Sequence, residues 1–198
     1  MTIVSIRGTH GSGKSTIVQR ILGLYDHKDK WQPINPDKKG RVEGYLLQVA
    51  PKQRLAIIGS YHTQCGGADG IQPYSLILDR IADYAKHYEH VLLEGALVSS
   101  SYGSVGQLMS HYAPNAVFAF LDTPLELCLE RIKQRRAAKG NFEPLNPHNT
   151  TVKFENVART KDQMRRLGSQ VRIVDIRHTH AVTDVLKLFG VRLSKEPA

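Results

Sequence analysis

Gly8-Thr9-His10-Gly11-Ser12-Gly13-Lys14-Ser15 follows the spacing G-x-x-x-x-G-K-[ST] without a mismatch. Glycines at that spacing let the backbone curl so that successive N–H groups point at a phosphate. The lysine reaches the β and γ phosphates of a nucleoside triphosphate, and the serine hydroxyl is placed to hold Mg²⁺. Gly8, Thr9, His10, Gly11, Ser12, Gly13, Lys14, Ser15 and Thr16 are therefore the candidate ATP-binding residues, with His10 read as a loop spacer. A second candidate is Glu94, which closes the apolar run Val91-Leu92-Leu93. A carboxylate there lies at the carboxyl edge of a sheet, where ligands bind in open α/β folds, and it needs a partner or a task.

These groups work only if a strand delivers the loop and a helix receives it. The β-branched run Thr2-Ile3-Val4-Ser5-Ile6 ends at Gly8, and Ile17, Val18, Ile21 and Leu22 form a helical stripe between Lys14 and Leu24. Beyond them, Asp26 to Gly40 reads as a loop, and Val42 to Val49 with Arg54 to Ile58 as two strands around an Ala50-Pro51-Lys52 turn. Gly59 to Gly70 is a second loop. Pro73 opens a helix carrying Tyr74, Ile77, Leu78, Ile81, Ala85 and Tyr88 on one face. Strands at Val91 to Gly95, Ala116 to Leu121 and Val171 to Ile176 alternate with helices from Leu125 to about Arg136, about Lys153 to Leu167, and Ala181 to Phe189. The alternation predicts one α/β domain over 1–198: a three-layer sandwich with a mostly parallel five-stranded sheet and helices on both faces.

Composition narrows the class. At 198 residues, with 41% hydrophobic and 23% charged, the chain is neither disordered nor collagen-like. Cys65 and Cys128 stand far apart, giving neither a disulfide framework nor a zinc spacing, which fits a reducing compartment. No apolar run approaches the roughly 18 residues a bilayer requires, so no membrane partner is expected. The net charge is +9, and its location is uneven: Arg131 to Arg172 holds eleven basic and three acidic side chains, so nearly all of the excess lies in one segment.

The same loop serves switch GTPases, motor ATPases and small kinases. No Asn-Lys-x-Asp guanine reader occurs, and the chain is too short for a motor's extra strands. The loop, the strand ending Glu94-Gly95, and Phe120-Leu121-Asp122-Thr123-Pro124 followed by Leu127-x-x-x-Arg131-x-x-x-Arg135-Arg136 resemble the P-loop nucleoside and nucleotide kinase superfamily over nearly the whole chain. The resemblance implies an Arg-rich lid at about 131–152. Arg131 and Arg135 would stabilise the transferring phosphoryl group there, and Arg136 would hold ATP. It also implies that Glu94 either orients Mg²⁺ together with Ser15 or accepts the proton of the attacking hydroxyl. One departure counts against a free monophosphate acceptor: the Asp-Arg-aromatic motif of thymidylate-type kinases is replaced by Leu97-Val98-Ser99-Ser100-Ser101-Tyr102-Gly103-Ser104.

The acceptor is the open question, and the charge bears on it. Val157, Thr160, Met164 and Leu167 make the inward stripe of their helix, leaving Arg159 and Arg166 outward, where a polyanion would meet them. Gly59 to Asp69 together with Glu94 to Ser100 resembles a group of bacteriophage P-loop kinases that phosphorylate 5-hydroxymethyluracil within DNA. That likeness implies substrate contacts from Tyr61, Cys65, Gly66, Gly67, Asp69 and Ser99, with Tyr61 stacking on a flipped-out base and Asp69 as an alternative base to Glu94. Against these stand plainer roles: Tyr61 packing under its loop, and Asp69 capping the helix before Tyr74. The expected partner is DNA carrying a modified pyrimidine, in the host cytoplasm if the chain is phage-encoded. The alternatives are a free nucleoside or nucleotide kinase and a nucleic-acid-binding ATPase.

Overall fold

The computed structural model describes residues 1–25, 31–34, 42–62, 66–100, 102–168 and 171–192. Its sheet has seven strands: β1 (Thr2–Arg7), β2 (Trp31–Ile34), β3 (Gly44–Ala50), β4 (Gln53–Ile58), β5 (His90–Glu94), β6 (Val117–Leu121) and β7 (Arg172–Ile176), in the order β2-β3-β4-β5-β1-β6-β7. From β4 to β7 every neighbouring pair is parallel, whereas β2, β3 and β4 pair antiparallel. The sheet is thus mixed and seven-stranded, which corrects the expected five-stranded sheet: the six strand segments named in the sequence all form, and β2 is added. The added edge strand β2 falls inside the predicted Asp26 to Gly40 loop, and its Pro33 is tolerated because an edge strand need not donate on its open side. The predicted β3–β4 hairpin forms, with Lys52 at φ 61 in the turn.

The helices are α1 (Lys14–Leu24), α2 (Ser75–His87), α3 (Ala96–Ser99), α4 (Gly103–Tyr112), α5 (Leu125–Ala137), α6 (His148–Arg165) and α7 (Ala181–Leu188). Alternating side chains of the central strands feed two cores, as a period of two requires. Val4, Ile6, Leu92 and Ala119 pack with Ile17, Val18 and Ile21 of α1 and Val182, Val185 and Leu186 of α7. On the other face Ile3, Val91, Leu93, Phe118 and Phe120 pack with Ile77 and Ile81 of α2, Met109 of α4, and Val157 and Met164 of α6. Helices α3 and α4 occupy the stretch whose serines and glycines read as a loop. Helix α6 starts at His148 rather than near Lys153, and Leu167 lies beyond its end, 39% exposed. Among the described residues no helix is long and apolar enough to cross a membrane.

Candidate active site

Strand β1 is flanked by β5 and β6, so its carboxyl end opens between two parallel neighbours at the point where the chain order reverses. The phosphate loop occupies that end. Gly13, at φ 100, turns the chain directly into α1, leaving the helix's first amides facing the cleft with no acidic side chain in the first turn. Three neighbours brace the loop. The Thr9 hydroxyl donates to the Thr150 carbonyl at 3.2 Å, the Thr123 hydroxyl donates to the Ser12 carbonyl at 2.9 Å, and Gly8 N–H donates to Ser99 Oγ at 3.3 Å. Lys14 is buried and donates to the carbonyls of Gly8 and Thr9, both at 2.9 Å. Burial pulls its pKa down, against the opposing pull of Glu94 and Asp69.

The register Ile6↔Glu94 sets the β5 carboxylate beside the start of the loop. Ser15 Oγ donates to Glu94 Oε1 at 2.9 Å, and Glu94 is 1% exposed. Burial raises its pKa to about 7, while Lys14 and the hydroxyls of Ser15 and Tyr61 work in the opposite sense. Gly67, at φ 110, brings the preceding loop so close that a Cβ there would run into the Glu94 carboxylate. Asp69 follows at the cleft wall, and its carboxylate accepts from Ala96 N–H at 2.5 Å and Leu97 N–H at 3.1 Å. It therefore caps α3 and not α2.

The cleft encloses about 780 Å³ beside the loop. Gly66, Asp69, Glu94 and Ala96 line it together with Arg131, Arg135 and the segment His178 to Thr183. Arg131 reaches the carbonyls of Ser12 at 3.3 Å and Gly11 at 3.5 Å. His10, Thr16 and Arg135 also face the cleft, and burial with the charges of Lys14 and Lys153 lowers the pKa of His10. The donor set of Ser15 and Glu94 is oxygen only, as a small hard cation shared with phosphate oxygens requires. Among the described residues no cluster of three or more His, Cys, Asp or Glu side chains offers a protein-only metal cage.

Several sequence expectations change. Tyr61 is buried against Tyr45, ring centroids 6.1 Å apart, with its hydroxyl turned to the Ile58 carbonyl and Glu94, so its ring has no face open to a base. Ser99 is fully buried and spends its hydroxyl on Gly95 O and Gly8 N–H, which makes it a brace of the loop and not a substrate contact. Arg136 turns away from the cleft to Asn141 Oδ1 at 3.1 Å. Cys65 lies outside the described residues. Arg159 on α6 and Arg166 just past its end are exposed, outside the cleft, and Arg159 pairs with Glu155 at 3.2 Å. Lys153 was not anticipated, although its spacing carries the signal: it extends the stripe Val157, Thr160, Met164 one turn back, toward the loop.

A loop built to cradle a polyphosphate, with its serine turned to a buried carboxylate at the carboxyl edge of the sheet, places the chain among the P-loop phosphotransferases. Comparison with known proteins specifies the branch: the profile of the 5-hmdU DNA kinase family matches residues 2–186, and the chain belongs to that family. The 5-hmdU DNA kinase of Pseudomonas phage PaMx11 is 35% identical over 171 residues, covering 85% of this chain and 88% of that protein. The 5-hmdU DNA kinase of Pseudomonas phage M6 is 33% identical over 197 residues, covering 93% of this chain and 96% of that protein. Among solved structures, a gluconokinase from Sinorhizobium meliloti 1021 aligns with TM-score 0.43 and 15% identity over 96% of this chain and 91% of that one.

Proposed function

We propose that the chain transfers the γ-phosphoryl group of ATP to the hydroxymethyl oxygen of 5-hydroxymethyluracil in DNA, leaving a phosphomonoester on the base. The observation that carries this reading is a single cleft that brings together the phosphate loop, the Ser15–Glu94 pair at 2.9 Å, the Asp69 carboxylate and the side chains of Arg131 and Arg135. The loop amides and Lys14 bind the β and γ phosphates, and Arg131 and Arg135 approach the phosphoryl group from α5. Together these groups supply positioning and charge stabilisation, the main demands of phosphoryl transfer. Ser15 and, through water, Glu94 are the residues that would hold Mg²⁺, which neutralises charge on the β and γ oxygens when bound.

That assignment leaves Asp69 to accept the hydroxyl proton. It is partly exposed to the cleft, two backbone N–H groups fix its orientation, and its remaining lone pairs are open to the acceptor. Glu94 is fully buried and already engaged with Ser15. The exposed stretch after α5, with Lys139 and Phe142, is the candidate lid. A base stacked in a duplex cannot bring its hydroxymethyl group to Asp69 and the phosphate loop, so the target nucleotide is flipped out or single-stranded.

The test is label transfer from γ-labelled ATP to hydroxymethyluracil-containing DNA, ordinary DNA, or free nucleosides and monophosphates. Label on the first alone is the expected result. Label confined to free nucleosides or monophosphates, or released only as inorganic phosphate, rejects the reading. Within a positive result, Asp69→Asn lowers kcat with ATP binding intact, whereas Glu94→Gln raises the Mg²⁺ concentration required.

A further inference from the structure

Lys153 lies in the second turn of α6, with its ammonium half-buried and bonded to Ser100 Oγ at 2.6 Å. Among the described residues no carboxylate lies within ion-pair distance of it. Both elements that fix it belong to the site. Helix α6 is tied to the phosphate loop through Thr9 and the Thr150 carbonyl, and α3, which leads to Ser100, is held by Asp69 at its first two amides. Lys153 therefore stands close enough to lower the pKa of both His10 and Lys14, while Asp69 favours its own charge.

A partly desolvated cation without a carboxylate is costly unless an anion completes it. The phosphates of ATP already have the loop amides, Lys14, Arg131 and Arg135, which leaves Lys153, bonded to Ser100 directly after the short helix that Asp69 caps, as a cation available to the acceptor. The acceptor hydroxyl is neutral, but a polymer brings its own anions, spaced one per nucleotide. We infer that Lys153, steadied by the Ser100 hydroxyl, binds the backbone phosphate next to the target nucleotide. It thereby positions the flipped base in the cleft and favours DNA over the free nucleoside. The inference rests on the DNA-kinase reading above.

The experiment uses short hydroxymethyluracil oligonucleotides in which either linkage flanking the target is an uncharged methylphosphonate. The wild type should lose roughly 10- to 100-fold in kcat/KM at one of these linkages, the worth of one charge-assisted contact. Lys153→Ala should lose as much on the all-phosphate oligonucleotide and nothing further on the neutral one, with the KM for ATP unchanged. Lys153→Arg should recover most of the activity. If Lys153→Ala costs the same factor on both oligonucleotides, Lys153 serves the transferring phosphoryl group or the fold, and the inference falls. It falls equally if the substitution costs nothing on either. A wild type that labels free nucleosides but no oligonucleotide overturns the DNA-kinase reading itself, a result recognisable without any variant.

Discussion

Glu94 should make the ligand-free protein less stable as pH rises through the range where most carboxylates have finished titrating. Its folded pKa is about 7 against an ordinary 4.5, with burial as the dominant cause. Between those values the unfolded chain releases the proton and the folded chain keeps it, so the unfolded state gains relative to the native one. Stability from this group is therefore complete below about pH 4.5, falls across the window to about 7, and stays low above it. The width of the window corresponds to roughly 3 kcal/mol. Glu94→Gln cannot ionise and keeps an acceptor for Ser15, so its advantage over the wild type should grow from near zero at pH 4.5 toward that figure at pH 8. For a chain of this size the figure corresponds to roughly 10 °C in Tm. Urea unfolding of both proteins, without nucleotide and with EDTA, measures the difference at each pH, and every other titrating group cancels. A difference that is flat with pH, or that reverses sign, refutes the assignment of a buried, destabilising carboxylate. The same substitution should weaken phosphotransfer at limiting Mg²⁺, which would mark the destabilising carboxylate as functional.

Lys14→Ala should lower kcat by at least about 100-fold with the far-ultraviolet dichroism unchanged, since among the described residues the hydrogen bonds of Lys14 go to carbonyls of its own loop. Ser99→Ala leaves Gly8 N–H without its buried acceptor and should cost about 1–3 kcal/mol in urea unfolding, together with weaker ATP binding in calorimetry. Gly67→Ala combines a left-handed backbone with a side chain driven into Glu94. It should lower the Tm and the activity together, and full activity in the soluble variant would contradict the packing described.

The donor half of the site was legible because phosphate binding is a local, contiguous demand: one strand, one loop and one helix suffice, and Gly8 to Ser15 carries all three signals. Glu94 was legible for a similar reason, as a charge interrupting an apolar strand. The acceptor half is assembled from separated segments, and its errors are those of long-range contact. Tyr61 reads as an aromatic in a glycine-rich loop, yet Tyr45, sixteen residues earlier, covers it. Ser99 sits in a polar run, yet a backbone N–H 91 residues away takes its hydroxyl. Asp69 precedes a helix in sequence but caps another one beyond β5. The missing edge strand β2 has a different cause, because a four-residue strand with a proline carries too little periodicity to register.

The charge that reads as one basic segment divides once the partners are placed. Of its eleven cations, Arg136, Arg159, Lys161 and Arg165 face carboxylates, Lys161 and Arg165 sharing Asp175. Arg131 and Arg135 line the cleft and Lys153 is bonded to Ser100, while Lys133 and Lys139 are exposed on α5 and the turn after it. A phosphate approaching Arg159 must compete with Glu155, whereas one approaching Lys133 or Lys139 meets an exposed cation with no carboxylate partner among the described residues. The joint variant Lys133→Ala with Lys139→Ala should therefore reduce the salt slope of DNA binding by up to about 1.8, and Arg159→Ala with Arg166→Ala by less. Equal or inverted effects would move the DNA path from the lid side of the cleft onto the outer face of α6.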